Sequence, residues 1–263
     1  MQNILLDTYR FFFARRFFLK LNRLVYHCGL RGLGILNYES DWVSGERRFL
    51  RDHVPRDQEF VVFDVGANVG SYSRAVLEIN AKATVFAFEP HPETYRQLKE
   101  TARKLKFEAL NLALGDSEGT ISLFDYADSD GSAHASVFRE VIETLHGSKS
   151  AAHRVELSTV DVVAKRLGVE TIDLLKIDTE GNELRVLLGA GGFLARGAVR
   201  AIQFEFNEMN VSSRSYFRDF WDMLPNFDLF RMLPDGLVKL ERYDPVTCEI
   251  FAYQNIVALL RVN

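Results

Sequence analysis

The sequence predicts an α/β fold with a mostly parallel central sheet, an antiparallel C-terminal strand and an N-terminal helical extension. Three observations carry this prediction. From residue 60 onward, short apolar runs alternate with segments at helical spacing, which is the rhythm of right-handed βαβ crossovers. The first apolar run passes into a helix through a glycine turn, "VVFDVGANVGSYS". The last third changes character: "FDLFRMLPDGLVKL" and "CEIFAYQNIVALLR" read as strands with Pro-Asp-Gly turn chemistry between them.

At 263 residues, 47% hydrophobic and 26% charged, the chain has globular composition and enough length for one large domain with an appendage. The division expected is a helical extension over 1–56 and a catalytic domain over 57–263. There is no internal repeat, low-complexity tract or second domain. The formal net charge of −4, with no basic stripe, argues against a nucleic-acid partner. The two cysteines, Cys28 and Cys248, form no C-x-x-C and no cysteine-histidine cluster, so neither a disulfide framework nor a zinc site is suggested and the cytoplasm is the default compartment.

The N-terminal stretch "RFFFARRFFLKLNRLVYHCGLRGLG" mixes aromatics with Arg10, Arg15, Arg16, Lys20 and Arg23. It lacks the roughly 20 uninterrupted apolar residues of a membrane span and the pattern of a secretory leader. On a helix, Leu6, Phe13, Phe17, Leu21, Leu24 and Cys28 share a face flanked by Arg16, Lys20 and Arg23. Two readings stay open: a helix packed on the catalytic domain or on a second subunit, and a basic amphipathic helix lying on a membrane surface.

In chain order, strands are expected at 60–65, 84–88 and 107–112, with helices over 71–80 and 92–104 between them. "GTISLFDY" adds a short strand. Residues 127–152, rich in Ser, Asp, Gly and His, read as a long loop of the functional kind. "HRVELSTVDVVAKRLG" is a strand and a capped helix, "IDLLKID" a buried strand, "NELRVLLGA" a helix, "VRAIQFEF" the last parallel strand, and 213–224 a helix.

In an open parallel sheet, ligands sit beyond the carboxyl ends of the strands, where strand order reverses. The first strand ends in Asp64 and a turn with Gly66, Asn68 and Gly70; the glycines permit positive φ and close approach of a ligand to backbone. The spacing D-x-G-x-N-x-G differs from the G-x-G-x-x-G of pyrophosphate cradles, so the ligand expected is a nucleoside without a diphosphate. Glu89, nineteen positions beyond Gly70 at the end of "VFAFEP", suits a ribose diol, with helix capping as the alternative. Asp116 of "NLALGDSEG" is placed to reach an adenine edge or simply to make a turn. The fourth strand brings Lys176, Asp178 and Glu180 to the mouth of the sheet; catalysis, metal binding and a structural Lys176–Asp178 ion pair are all readings of that cluster. Glu205 and Asn207 end the fifth strand. His134, in "GSAHASVF", is the most base-like histidine, whereas His91 belongs to a helix start.

Taken in order, "DVGANVGSYS", "AFEPHPETY", "NLALGDSEG" and "LLKIDTEGNE" resemble the FkbM family of S-adenosylmethionine-dependent methyltransferases, within the Rossmann-like class I methyltransferases. The resemblance runs from about residue 37 to the C-terminus, and Lys-Ile-Asp-x-Glu-Gly is its specific part; Asn182 stands where a small residue is expected. It implies that Gly66, Asn68 and Gly70 line the methionine part of the cofactor, Glu89 the ribose, and Asp178 with Glu180 the reaction side. Family members methylate hydroxyls of sugars, glycolipids or polyketide-type metabolites.

A sugar hydroxyl is a poor acid. Asp178, Glu205 or His134 is therefore needed as base, or a divalent ion such as Mg²⁺ on Asp178 and Glu205 must lower the hydroxyl pKa. The rival readings are an NAD-dependent oxidoreductase, which the missing third glycine disfavours, a non-catalytic S-adenosylmethionine-binding scaffold, and a methyltransferase acting on protein or nucleic acid.

Overall fold

The computed structural model describes residues 2–126, 135–145 and 147–261. Eleven strands lie among them: β1 (Phe60–Val65), β2 (Ala83–Phe88), β3 (Glu108–Leu110), β4 (Ala113–Leu114), β5 (Gly119–Tyr126), β6 (Ser150–Ser158), β7 (Ile172–Ile177), β8 (Val199–Phe206), β9 (Phe227–Leu233), β10 (Gly236–Lys239) and β11 (Gln254–Leu260). Eight form one sheet in the order β10-β9-β11-β8-β7-β1-β2-β3. From β3 to β8 the pairs are parallel, while β11 runs antiparallel to both β8 and β9. The predicted mostly parallel sheet with an antiparallel C-terminal strand is therefore present.

The central strands read as continuous apolar runs because both faces are covered. One face packs Phe63, Phe88, Ile177, Phe204 and Phe206 against the helices that follow β6, β7 and β8. The other packs Val62, Val76 and Val257 against Phe49, Leu50 and Val54. Those last three lie on or just after the helix Glu46–His53, so residues assigned to the extension complete the catalytic core. Ile35 bridges to Gln254, and the N–H of Leu36 donates to the carbonyl of Tyr253. The exposed part of the extension is the helix pair Gln2–Phe13 and Leu19–Gly32.

Three local expectations are corrected. The strand expected over 107–112 is split: β3 ends at Leu110, and β4 leaves for a second, three-stranded sheet ordered β4-β6-β5. Here β5 and β6 pair antiparallel along eight positions, from Gly119–Leu157 to Tyr126–Ser150, a long-range pairing that alternation alone does not reveal. The N-terminal helix expected to be continuous is broken after Phe13, and the chain re-enters helix through a 3-10 turn at Arg16–Phe18. The helix expected over 213–224 is shorter, Phe217–Met223, and a separate helix, Met209–Ser213, precedes it, closed by Arg214 in the left-handed region at φ 56°.

Candidate active site

The chain runs outward from β1 through β2 to β3 and returns to β7 on the other side, so strand order reverses between β1 and β7. A cavity of about 530 Å³ opens there at the carboxyl ends of the strands, within the range of about 300–1,000 Å³ typical of small-molecule sites. Val65 at the end of β1 with Gly66 just after it, Glu89 just after β2, Asp178 just after β7 and Glu205 in β8 contribute to its wall. Leu112, Ala113, Leu114 and Leu123 supply an apolar side; Leu36, Tyr38 and Tyr253 come from segments that had given no site signal.

Beneath the cavity, strand register assembles a row of buried polar groups. Asp64 pairs with Lys176, and Lys176 with Gln203, across β1, β7 and β8. The Lys176 ammonium lies 3.4 Å from Asp64 Oδ1, 3.3 Å from Asp178 Oδ2 and 3.3 Å from the Gly66 carbonyl. Burial works against its charge, yet Asp178, Asp64 and Glu46 together hold its pKa above the ordinary lysine range. Ser73 Oγ donates to Asp64 Oδ2 at 2.7 Å, Tyr72 Oη donates to Gln203, and Gln203 donates to Glu46. The Lys176–Asp178 ion pair is thus formed. Asp64, fully buried on this network, is outside the cavity wall and supports the site from below.

Gly66 and Gly70 adopt φ of 76° and 87°, as the turn requires. Their close contacts are with the protein itself: a Cβ at Gly66 would lie 1.7 Å from the Asp178 carbonyl oxygen, and one at Gly70 would crowd Leu98, Phe107 and Thr101. Gly66 lets β1 and β7 end side by side, and Gly70 packs away from the cavity. Asn68 lines the wall in the left-handed region at φ 49°.

Glu89 is nearly buried and accepts from the N–H of Asn68 at 2.9 Å and of His91 at 2.8 Å. Burial pushes its carboxyl up to about 7 against those two donors. Each oxygen keeps a second lone pair, so ribose hydroxyls can still donate to it, and the neighbouring apolar wall at Leu112–Leu114 fits a flat base. These residues fit the nucleoside part of S-adenosylmethionine. Asp116 is exposed, accepts from Ser117 Oγ, and does not line the cavity. The side chains of Leu112, Ala113 and Leu114 before it line the cavity instead.

Glu205, Asp178 and Glu180 share the cavity wall. Desolvation, then the charges of Asp178, Glu180 and Glu183, push the Glu205 carboxyl well above the ordinary range, while Asn207 Nδ2 donates to its Oε2 at 3.1 Å. Glu183 had not been singled out as a site residue. Its buried Oε1 accepts from the N–H of Thr179, the N–H of Gly181 and Thr179 Oγ1, fixing the turn that carries Glu180 at φ 53°. Burial raises its pKa to about 7. A carboxylate six residues after the end of β7 and two after Gly181, in the first turn of the helix Glu183–Leu188, is the signal that was available. Asn182 ties this turn to the apolar wall by donating to the Leu114 carbonyl at 3.0 Å. From the long loop, Ser136 Oγ donates to the Glu180 carbonyl at 2.7 Å. His134 lies outside the described residues.

Among the described residues, no three His, Cys, Asp or Glu side chains gather to hold a metal ion. The Asp178–Glu205 ion site is not supported, and Lys176 already supplies the positive charge beside Asp178. His91 is buried at the helix start, with Nε2 3.4 Å from Asp125 Oδ2, away from the wall.

The family profile described as "Methyltransferase FkbM domain" matches residues 64–230, more than half of the chain. The 2-O-methyltransferase NoeI of Sinorhizobium fredii is 28% identical over 193 residues, 67% of this chain and 76% of that protein. The 31-O-demethyl-FK506 methyltransferase FkbM of Streptomyces tacrolimicus is 32% identical over 168 residues, 55% of this chain and 64% of that one. The hexuronic acid methyltransferase AglP of Haloferax volcanii is 27% identical over 157 residues, 59% and 58% of the two chains. The chain spans less than two thirds of the last two relatives. With the profile match running from the end of β1 through the Lys176–Glu183 turn and β8, the chain belongs to the FkbM family and is a methyltransferase.

Proposed function

We propose that the chain transfers the methyl group of S-adenosylmethionine to a hydroxyl oxygen of a sugar, glycolipid or polyketide-type metabolite, with Glu205 taking up the hydroxyl proton. The observation that carries this reading is the carboxylate side of the cavity, where Glu205 has a raised proton affinity next to Asp178 and Glu180. The donor supplies a methyl on sulfonium, already activated for displacement. What remains for the protein is to align an acceptor oxygen, exclude water and accept a proton. Glu89 and the apolar wall hold the nucleoside. Glu183 and Asn182 fix the turn that carries Glu180. Lys176 anchors Asp178, leaving Glu205 as the carboxylate of the wall with raised proton affinity, the property a general base for a weakly acidic hydroxyl needs. The names of the relatives specify oxygen as the methylated atom in two cases and a hexuronic acid in the third, which supports a hydroxyl acceptor.

The test is a transfer assay with methyl-labelled donor against uronic acids, neutral oligosaccharides, glycolipids and hydroxylated polyketides, with amine acceptors as competitors. A labelled methyl ether is the expected product. Label recovered only on nitrogen or carbon would sink the proposal.

A further inference from the structure

Residues 1–33 contain six Lys or Arg and one Asp, a formal charge of +5, so the remaining chain carries −9 of the total −4. That cationic segment is also the most apolar exposed part of the protein. Leu21, Leu24, Val25 and Cys28 fall at i, i+3, i+4 and i+7 of the helix Leu19–Gly32, and all are solvent-exposed, Leu24 by 60%. Lys20, Arg23 and His27 fall at i, i+3 and i+7 along the adjoining face. On the preceding helix, Ile4, Leu5, Leu6, Phe11 and Phe12 are exposed on several sides, and Phe17 in the connecting turn is 89% exposed. Between the two helices Tyr9 Oη donates to Asn22 Oδ1 and Asn22 Nδ2 donates to the Phe13 carbonyl, while Phe13 packs on Tyr9 of its own helix and on Phe18 of the connecting turn.

From this we infer that the helix pair lies on an anionic lipid surface, inserting its leucines and phenylalanines at the headgroup boundary. Two physical arguments select lipid over a second copy of the chain. A two-fold interface through this face would set Lys20 and Arg23 of each copy against the same charges of the other. Apolar residues on several sides of Gln2–Phe13 suit immersion, whereas a protein partner covers one side. No described helix is long and apolar enough to cross a membrane, so the segment lies along the surface. The helix Leu19–Gly32 is followed four and six residues later by Leu36 and Tyr38 of the cavity wall, which ties the segment to the site along the chain. The inference is independent of the acceptor reading.

Flotation of the full chain with phosphatidylcholine–phosphatidylglycerol vesicles, and with phosphatidylcholine alone, tests it. Capture by the anionic vesicles, weakened by added salt, is expected. Lys20→Glu with Arg23→Glu should reduce it on the order of twentyfold or more, since each basic residue near an anionic surface contributes about fivefold. Leu21→Asp with Leu24→Asp should abolish it without moving the melting temperature, because neither side chain is in the core. Equal capture by both vesicle types, no capture, or capture undiminished in either variant would overturn the inference. So would light scattering that shows a dimer dissociated by the leucine changes, which would assign the face to a second copy.

Discussion

Lys176 and Glu205 lie near the ends of neighbouring strands, β7 and β8, and burial acts on them with opposite results. Lys176 is held charged: Asp64 and Asp178 lie within 3.4 Å, and the Gly66 carbonyl accepts from it. Glu205 also faces carboxylates, Asp178, Glu180 and Glu183, and both desolvation and repulsion favour its proton. The same loss of water therefore yields a fixed ion pair at one strand end and a carboxyl of raised proton affinity at the next. What separates them is the sign of the group itself: carboxylate neighbours favour the Lys176 ammonium and disfavour the Glu205 carboxylate, and the fold supplies those neighbours by placing Asp64 beside Lys176 in register while the turn after β7 delivers Glu180 and Glu183 near Glu205.

The largest effect should come from Glu205→Gln, which is nearly isosteric but cannot take up a proton. Single-turnover methyl transfer should fall on the order of 10²–10⁴ with cofactor affinity retained. In the wild type the rate should rise with pH as Glu205 ionises, with a half-point above the ordinary carboxylate range. The variant should lack that limb. A glutamine variant with wild-type turnover would dissolve the contrast between the two strand ends.

Next in size is Lys176→Met. Removing the ammonium leaves Asp64 buried without its counter-ion, so the expected loss of stability is about 3–5 kcal/mol in chemical denaturation. Adding Asp64→Asn should return part of it. An unchanged denaturation midpoint in the single variant would mean that Lys176 does not balance the row.

The smallest effect sharpens the carboxylate half of the comparison. Glu183 has a folded-state pKa of about 7 against an ordinary 4.5. Its contribution to stability is then fully present below about 4.5 and is lost as pH rises through about 7. Glu183→Gln keeps an oxygen for the Thr179 and Gly181 N–H groups, so the melting temperature should depend less on pH across that window. A pH profile identical to the wild type would place the titration elsewhere.

Much of this site was legible in the sequence. The apolar runs, the Asp64–Gly70 turn and the acids at 89, 178 and 205 are local signals, because a strand end and a tight turn are specified by residues adjacent in the chain. The parallel sheet and the order in which those acids arrive at its edge follow from them by the handedness of βαβ connections.

The tertiary structure decided which residue does what, since that depends on groups far apart in sequence. Register across β1, β7 and β8 buried Asp64 beside Lys176, outside the cavity wall, and the close approach of the Asp178 carbonyl requires a glycine at Gly66. Asp116 stayed in solvent while Leu112–Leu114 turned inward with the second sheet. Tyr253, Leu36 and Tyr38 joined the cavity through the antiparallel return of β11 and the bridge from Ile35 to Gln254. Composition and spacing determine what a residue can do, but its charge state and its neighbours are set by packing. Burial and long-range pairing exist only once the chain has closed on itself.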